Sequence, residues 1–113
     1  RQHPRFPVQF RSSFSSANIV SGEGQLGDLS IRGCRISSAA DVKPGTTLRL
    51  QVDVSSDAPA IQITQAVVRW CRGGSFGLEF VSLSPGEWAR LQQVVKELEL
   101  EPYQRADSLD GAA

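Results

Sequence analysis

The sequence predicts a mainly β fold, a small closed or nearly closed antiparallel barrel of five or six short strands with one α-helix at the C-terminal end. Three observations predict it. Apolar and polar residues alternate with period two through most of the stretch from Phe6 to Val81. Clusters of Gly, Pro and Ser break that alternation at short intervals. A single apolar stripe at helical spacing then follows, from Trp88 to Leu98.

The elements follow in order. Phe6, Val8 and Phe10 alternate with Pro7, Gln9 and Arg11, the period of a half-buried strand. Val20-Ser21-Gly22-Glu23-Gly24 reads as a loop before a strand over Gln25 to Ser30. Cys34 and Ile36 continue after a glycine, with Arg35 and Ser37 on the other face. Lys43-Pro44-Gly45-Thr46 is a turn signal, because Pro and Gly supply the backbone angles a tight reversal needs.

Leu48, Leu50, Val52 and Val54 alternate with Arg49, Gln51, Asp53 and Ser55 in the clearest strand, which Ser55 to Pro59 breaks. In the next strand Ile61 and Ile63 are in phase, whereas Ala66, Val68 and Trp70 have slipped by one. That slip predicts a β-bulge near Gln65, which also bends the strand as barrel closure requires. Arg72-Gly73-Gly74-Ser75 reads as a tight hairpin, followed by Phe76, Leu78 and Phe80 alternating with Gly77, Glu79 and Val81. Ser84 as N-cap, Pro85 at N1 and Glu87 at N3 start the helix with a capping box. Trp88, Leu91, Val95 and Leu98, with Val94 beside them, form its core face, and Glu101-Pro102 is expected to end it. The expected organisation is an arginine-bearing arm over 1–5, a barrel with its closing helix over 6–100, and a polar, mobile tail over 101–113.

Composition narrows the function. With 113 residues there is room for one domain, and 40% hydrophobic against 21% charged residues is a globular balance. No apolar run approaches the roughly 20 residues of a membrane helix. Arg1 opens the chain and methionine is absent, so the sequence reads as a processed chain or a piece of a longer one. Twelve basic and twelve acidic residues give a net charge of zero, which argues against a non-specific binder of nucleic-acid polymers. The charge is unevenly placed. Positions 1–35 hold five arginines against Glu23 and Asp28, and ten of the twelve basic residues are arginine, the side chain suited to bidentate anion recognition.

The inventory does not suit an enzyme. His3 is the only histidine and reads as a solvent-exposed residue, with ligand stacking or hydrogen bonding as the alternative. No nucleophile elbow, zinc-protease motif or phosphate-binding loop appears. Cys34 and Cys71 lack metal-ligand spacing and read as two reduced core or half-buried thiols, a disulfide being the alternative.

Two segments stand out. Arg1-Gln2-His3-Pro4-Arg5 places two arginines four apart on an arm that Pro4 keeps out of a helix. Asp28-Leu29-Ser30-Ile31-Arg32-Gly33 is an Asp-x-Ser-x-x-Gly pattern, for which this composition predicts roughly 0.07 chance matches. Period two turns Leu29 and Ile31 into the core and places Asp28 and Ser30 together on the outer face. There Asp28 accepts hydrogen bonds, Ser30 donates one, and Gly33 allows a positive φ or a close approach to a ligand. An Asx-type turn between strands is the plainer reading of the same residues.

Together and in this order, the two segments resemble the PilZ domain family, bacterial receptors for cyclic di-GMP, marked by Arg-x-x-x-Arg and then Asp/Asn-x-Ser-x-x-Gly. Arg1 and Arg5 match the first motif; Asp28, Ser30 and Gly33 match the second. The likeness extends through Val8 and Phe10, Lys43-Pro44-Gly45, Ala66-Val67-Val68-Arg69-Trp70 and Phe76-Gly77-Leu78-Glu79-Phe80 to the helix from Ser84. It implies a six-stranded antiparallel split barrel with a C-terminal helix. It also implies a cyclic di-GMP receptor without enzymatic activity, metal or further cofactor, located in the bacterial cytoplasm alone or within a larger or membrane-attached protein.

By that resemblance, Arg1 and Arg5 reach the phosphates and guanine Hoogsteen edges, and Asp28, Ser30 and Gly33 hold the other side of a guanine. Trp70 and Arg72 stand where some members have an aromatic and a basic residue touching the ligand; core packing is the alternative for Trp70. Arg32 and Arg35 read as solvated strand charges. Many members carry a second arginine directly after the first, where this chain has Gln2. The implied output runs through a downstream effector protein or an attached domain, with no membrane insertion. Two competing readings are a PilZ-like adaptor that acts by protein contacts without nucleotide, and an oligonucleotide-binding barrel. The intact motifs disfavour the first, and the single tyrosine and zero net charge disfavour the second.

Overall fold

The computed structural model of the protein describes residues 4–17 and 21–112, with side chains as far as residue 100. Arg1 and His3 lie outside the described residues. Six strands, β1 (Phe6–Ser15), β2 (Ser21–Leu29), β3 (Gly33–Ser37), β4 (Thr47–Asp53), β5 (Ile61–Arg72) and β6 (Ser75–Ser82), precede one helix, α1 (Pro85–Ala112). The strands close into a barrel in the order β1-β2-β3-β6-β5-β4, and every neighbouring pair is antiparallel. Closure leaves no long unpaired edge.

The interior is the set of residues that period two assigns to it. Leu48, Leu50 and Val52 of β4, Ile61, Ile63, Ala66 and Val68 of β5, and Phe76, Leu78 and Phe80 of β6 are all buried. Phe14 and Phe76 meet edge to face, centroids 5.3 Å apart, joining β1 to β6 across the interior. The Lys43–Thr46 turn closes with Thr46 N–H donating to the Lys43 carbonyl at 3.1 Å, Gly45 holding φ at 91°. The β5–β6 hairpin turns through Gly73 and Gly74 at φ 52° and 83°, the pair of positive angles that matches strand twist.

Three expectations need correction. Ser21 to Gly24 form the start of β2 rather than a loop, with Gly22 opposite Phe14 and Gly24 opposite Ser12. Glycine serves packing there: a Cβ on Gly24 would press on Ile36 and the Ser37 carbonyl. Trp70 does not share the inward face of Val68 but lies exposed on the outside of β5. Finally, α1 does not stop at Glu101-Pro102 but runs to Ala112. A proline removes one N–H from an already formed helix, which costs stability locally without breaking the turns on either side.

The expected bulge is present, since β5 spends three steps between Ala66 and Ile63 where its partner β4 spends two between Leu48 and Leu50. The helix starts where the sequence marks it, with Ser84 Oγ accepting from Glu87 N–H at 3.4 Å. Glu87 does not reach back to complete the box. Its carboxylate instead accepts from the Gln62 N–H on β5 at 3.0 Å and pairs with Arg90 at 3.6 Å. Arg90 in turn donates to the Ala60 carbonyl at 3.2 Å. These bonds pin the first turns of α1 to β5 while Leu91 and Leu98 enter the core. Trp88, predicted on the same stripe, stays partly exposed.

Candidate functional site

The two motifs meet on the outside of the barrel. Arg5, just before β1, places a guanidinium nitrogen 2.8 Å from one oxygen of Asp28, near the end of β2. Arg35 of β3 holds the other oxygen through Nε at 3.3 Å. Asp28 faces outward because of a bulge: Leu26 pairs with Ile36 and Asp28 with Arg35, so Gly27 is the extra residue. Leu26 and Leu29 are both buried, with Gly27 and Asp28 between them on the surface side. The Arg35 guanidinium lies over Gly27, in the space a Cβ would occupy.

Beside this pair lies a cleft of about 370 Å³. Arg5, Arg32 and Arg69 contribute cations to its walls, Glu79 a carboxylate and Trp70 an indole, over a floor at Gly77 and Leu78. Trp70 reaches the cleft through a second irregularity in β5. Val68 pairs with Leu78 and Trp70 with Gly77, which leaves Arg69 as the extra residue. Arg69 and Trp70 are consequently both outside, although Val68 is fully buried. The indole lies against Gly77 so closely that a Cβ there would overlap it. Glu79 accepts from Arg69 Nε at 2.7 Å and lies 3.9 Å from Arg32.

Ser30 and Gly33 take parts that differ from the expected geometry. The alternation ends with β2 at Leu29, and Ser30 turns inward and is buried instead of lying beside Asp28. Its hydroxyl accepts from the N–H groups of Arg32 and Gly33, both at 3.1 Å, and donates to the Gly33 carbonyl at 3.3 Å. With the Ser30 N–H also donating to Gly33 O at 2.9 Å, Ser30 staples the β2–β3 turn. Gly33 has no positive φ. It is glycine because a Cβ would collide with the Leu78 carbonyl, so the close approach it allows is to β6.

Arg72 lies at the hairpin end, beyond the cleft, its carbonyl accepting from Ser75 Oγ at 3.1 Å. The sequence reads Arg32, Arg35 and Glu79 as solvated strand charges and gives Arg69 no site role. Proximity to the Asp-x-Ser-x-x-Gly segment was a usable signal for the first two. Cys34, opposite Leu29 on β3, is buried and free, and burial pushes its thiol far above the ordinary range, with the nearby Asp28 charge adding to the rise. Cys71 is also free and is exposed.

The arrangement can receive an anion with a planar ring. Guanidinium forks supply donors, Trp70 supplies a stacking face, and Asp28 supplies acceptors once an arginine leaves it. Residues 1–97 match the family model of the PilZ domain. The chain belongs to the PilZ domain family. Among solved structures it is similar to YcgR of Escherichia coli in complex with c-di-GMP, with a TM-score of 0.79 and 19% identity over 96% of this chain and 50% of that one. It is also similar to the inhibitor of motility MotI of Bacillus subtilis, with a TM-score of 0.72 and 19% identity over 89% of this chain and 52% of that one. The PilZ domain of CeSA from a cellulose-synthesizing bacterium aligns at a TM-score of 0.69 and 16% identity, over 85% of this chain and 98% of that one. This PilZ chain spans about half the length of the YcgR and MotI chains, and at these identities the likeness is one of fold. No curated protein matches the sequence. No helix among the described residues is long and apolar enough to cross a membrane.

Proposed function

We propose that this PilZ domain is a non-enzymatic receptor for cyclic di-GMP, bound where Arg5 meets Asp28 and in the adjoining cleft. The observation that carries the reading is the 2.8 Å ion pair between Arg5 and Asp28, which brings together two motifs 23 positions apart at the mouth of an arginine-lined cleft. The complex of YcgR with c-di-GMP supports the ligand's identity by family likeness.

Asp28 and Glu79 are each held by two arginines. Binding exchanges partners. Arg5 leaves Asp28 for a phosphate, and Arg1 adds a second guanidinium from the arm. The freed Asp28 oxygen accepts from the N–H groups of a guanine Watson–Crick edge. The surface ion pair that is lost contributes about 0–1 kcal/mol, whereas a charge-assisted hydrogen bond to the ligand contributes about 1.5–3 kcal/mol. Trp70 stacks on a purine, and Ser30 and Gly33 hold the turn that carries Asp28 against β3 and β6. Arg72 lies within reach of a ligand that extends past the cleft. Ordering of the arm is the signal, passed in the bacterial cytoplasm to a partner protein or an attached domain; the longer YcgR and MotI chains support the second arrangement.

Calorimetric titration with cyclic di-GMP, with GTP as control, tests the reading. Saturable micromolar or tighter binding, far tighter than that of GTP, is expected, and the stoichiometry gives the number of ligands held. Absence of binding would overturn it in favour of the adaptor reading.

A further inference from the structure

We propose that Glu79 sets the charge selectivity of the cleft. Seated between Arg32 and Arg69, it lowers the positive field so that a ligand with two negative charges is held while more highly charged nucleotides are disfavoured. The proposal rests on the reading of this cleft as a nucleotide site.

Glu79 comes from β6, where it lies opposite Gly33 on one side and Val67 on the other. Its carboxylate is the only one among the described residues that line the cleft. Arg69 Nε is 2.7 Å from one oxygen and Arg32 Nη2 is 3.9 Å from the other. Both arginine side chains are more than half exposed, and that of Glu79 is 36% exposed, so the cluster faces solvent and ligand space. Asp28 differs, with a side chain 22% exposed and one oxygen on each of two arginines.

Each guanidinium carries five N–H donors, and Glu79 occupies few of them. What Glu79 removes from the cleft is therefore field, and donors remain for an incoming phosphate. Coulomb energy is linear in ligand charge, so a fixed carboxylate penalises a ligand in proportion to that charge. GTP without magnesium carries about twice the charge of cyclic di-GMP, because its terminal phosphate adds to the diester-like ones. Removing the Glu79 charge then raises GTP affinity by about the square of the factor by which it raises cyclic di-GMP affinity.

The test is titration of wild type and Glu79→Gln with cyclic di-GMP, GTP and inorganic pyrophosphate, without magnesium, at low and high salt. Glu97→Gln on α1, outside the cleft, controls for net charge. Glutamine keeps the size and one acceptor oxygen, and thermal melts confirm the fold. We expect Glu79→Gln to tighten cyclic di-GMP by about threefold and GTP by about tenfold, with pyrophosphate gaining likewise and all gains shrinking at high salt. Equal factors for all three ligands, no change, or weaker binding would overturn the proposal; the last would make Glu79 an organiser of the arginines. If wild type rejects cyclic di-GMP, the receptor reading falls, while GTP and pyrophosphate still measure the effect of Glu79. If neither protein holds any of the three anions, both readings fall.

Discussion

The indole of Trp70 lies across Gly77 on the neighbouring strand, in the space a side chain at position 77 would fill. The smallest residue on β6 thus seats the largest on β5, and the ring covers backbone while lining the cleft. Such seating fixes a flat surface at low entropic cost, the property a purine platform needs. Trp70→Ala is expected to lower cyclic di-GMP affinity by about tenfold or more, the scale of one lost base–aromatic stack, and Trp70→Phe to recover most of it. In a Trp88→Phe background, Trp70 becomes the only tryptophan, and its fluorescence should quench on ligand addition. Unchanged fluorescence at saturating ligand would remove Trp70 from the site.

Arg5→Ala is expected to cost at least tenfold in affinity, with thermal stability nearly unchanged, since the Arg5–Asp28 pair is a surface ion pair. Arg5→Lys should recover only part of the loss because lysine lacks the planar fork. Calorimetry and a melting curve on the same samples separate the two effects. Wild-type affinity in Arg5→Ala would sink the partner-exchange mechanism.

Ser30 and Gly33 are expected to report on stability first. Ser30→Ala leaves the Arg32 and Gly33 N–H groups without their hydroxyl partner in a buried turn, at a cost of about 1–3 kcal/mol. Gly33→Ala forces a methyl against the Leu78 carbonyl and must displace β6, at a cost of about 1–3 kcal/mol or more. Denaturant midpoints check both. A Ser30→Ala protein as stable as wild type, yet unable to bind, would make the hydroxyl a direct ligand contact.

The thiols should differ sharply. Exposed Cys71 is expected to react with a water-soluble disulfide reagent in the native protein, and buried Cys34 only after unfolding. Burial, with a smaller contribution from Asp28, raises the folded-state pKa of Cys34, so the folded protein keeps this proton where the unfolded chain releases it. That stabilisation is present in full below the unfolded value of about 8.5 and declines as pH rises above it, by up to about 1.4 kcal/mol per unit. Between about pH 8 and 9.5 the stability of wild type should fall more steeply than that of Cys34→Ala. Parallel curves would show that Cys34 does not govern the alkaline limb.

The barrel was legible in the sequence because its strands keep a period of two between their bulges, around a single interior. Even the bulge at Gln65 was legible, because apolar residues lie on both sides of it: Ile61 and Ile63 set one phase, Ala66 and Val68 the other. The slip at Arg69 left no such trace. No buried apolar residue follows it on β5, so nothing reports the new phase, and Trp70 reads as an inward residue by continuation. The same limit hid the turn at Ser30, where alternation was extended one residue past the end of β2. Of the candidate site, Arg5 and Asp28 were legible from motif spacing. Arg69 and Glu79 enter only through strand pairing and bulge geometry, which a single sequence does not display.

A further consequence follows from the extra residue at Arg69. The direction in which position 70 points is written into the main chain, where Val68 and Leu78 lock the barrel register, and does not depend on which side chain stands there. Residues 69 and 70 can therefore change identity over generations while the hydrophobic interior stays under its own constraint. Related barrels can diverge in what they sense without first loosening how they fold, and a library randomised at these two positions should yield folded proteins with altered ligand preference at high frequency.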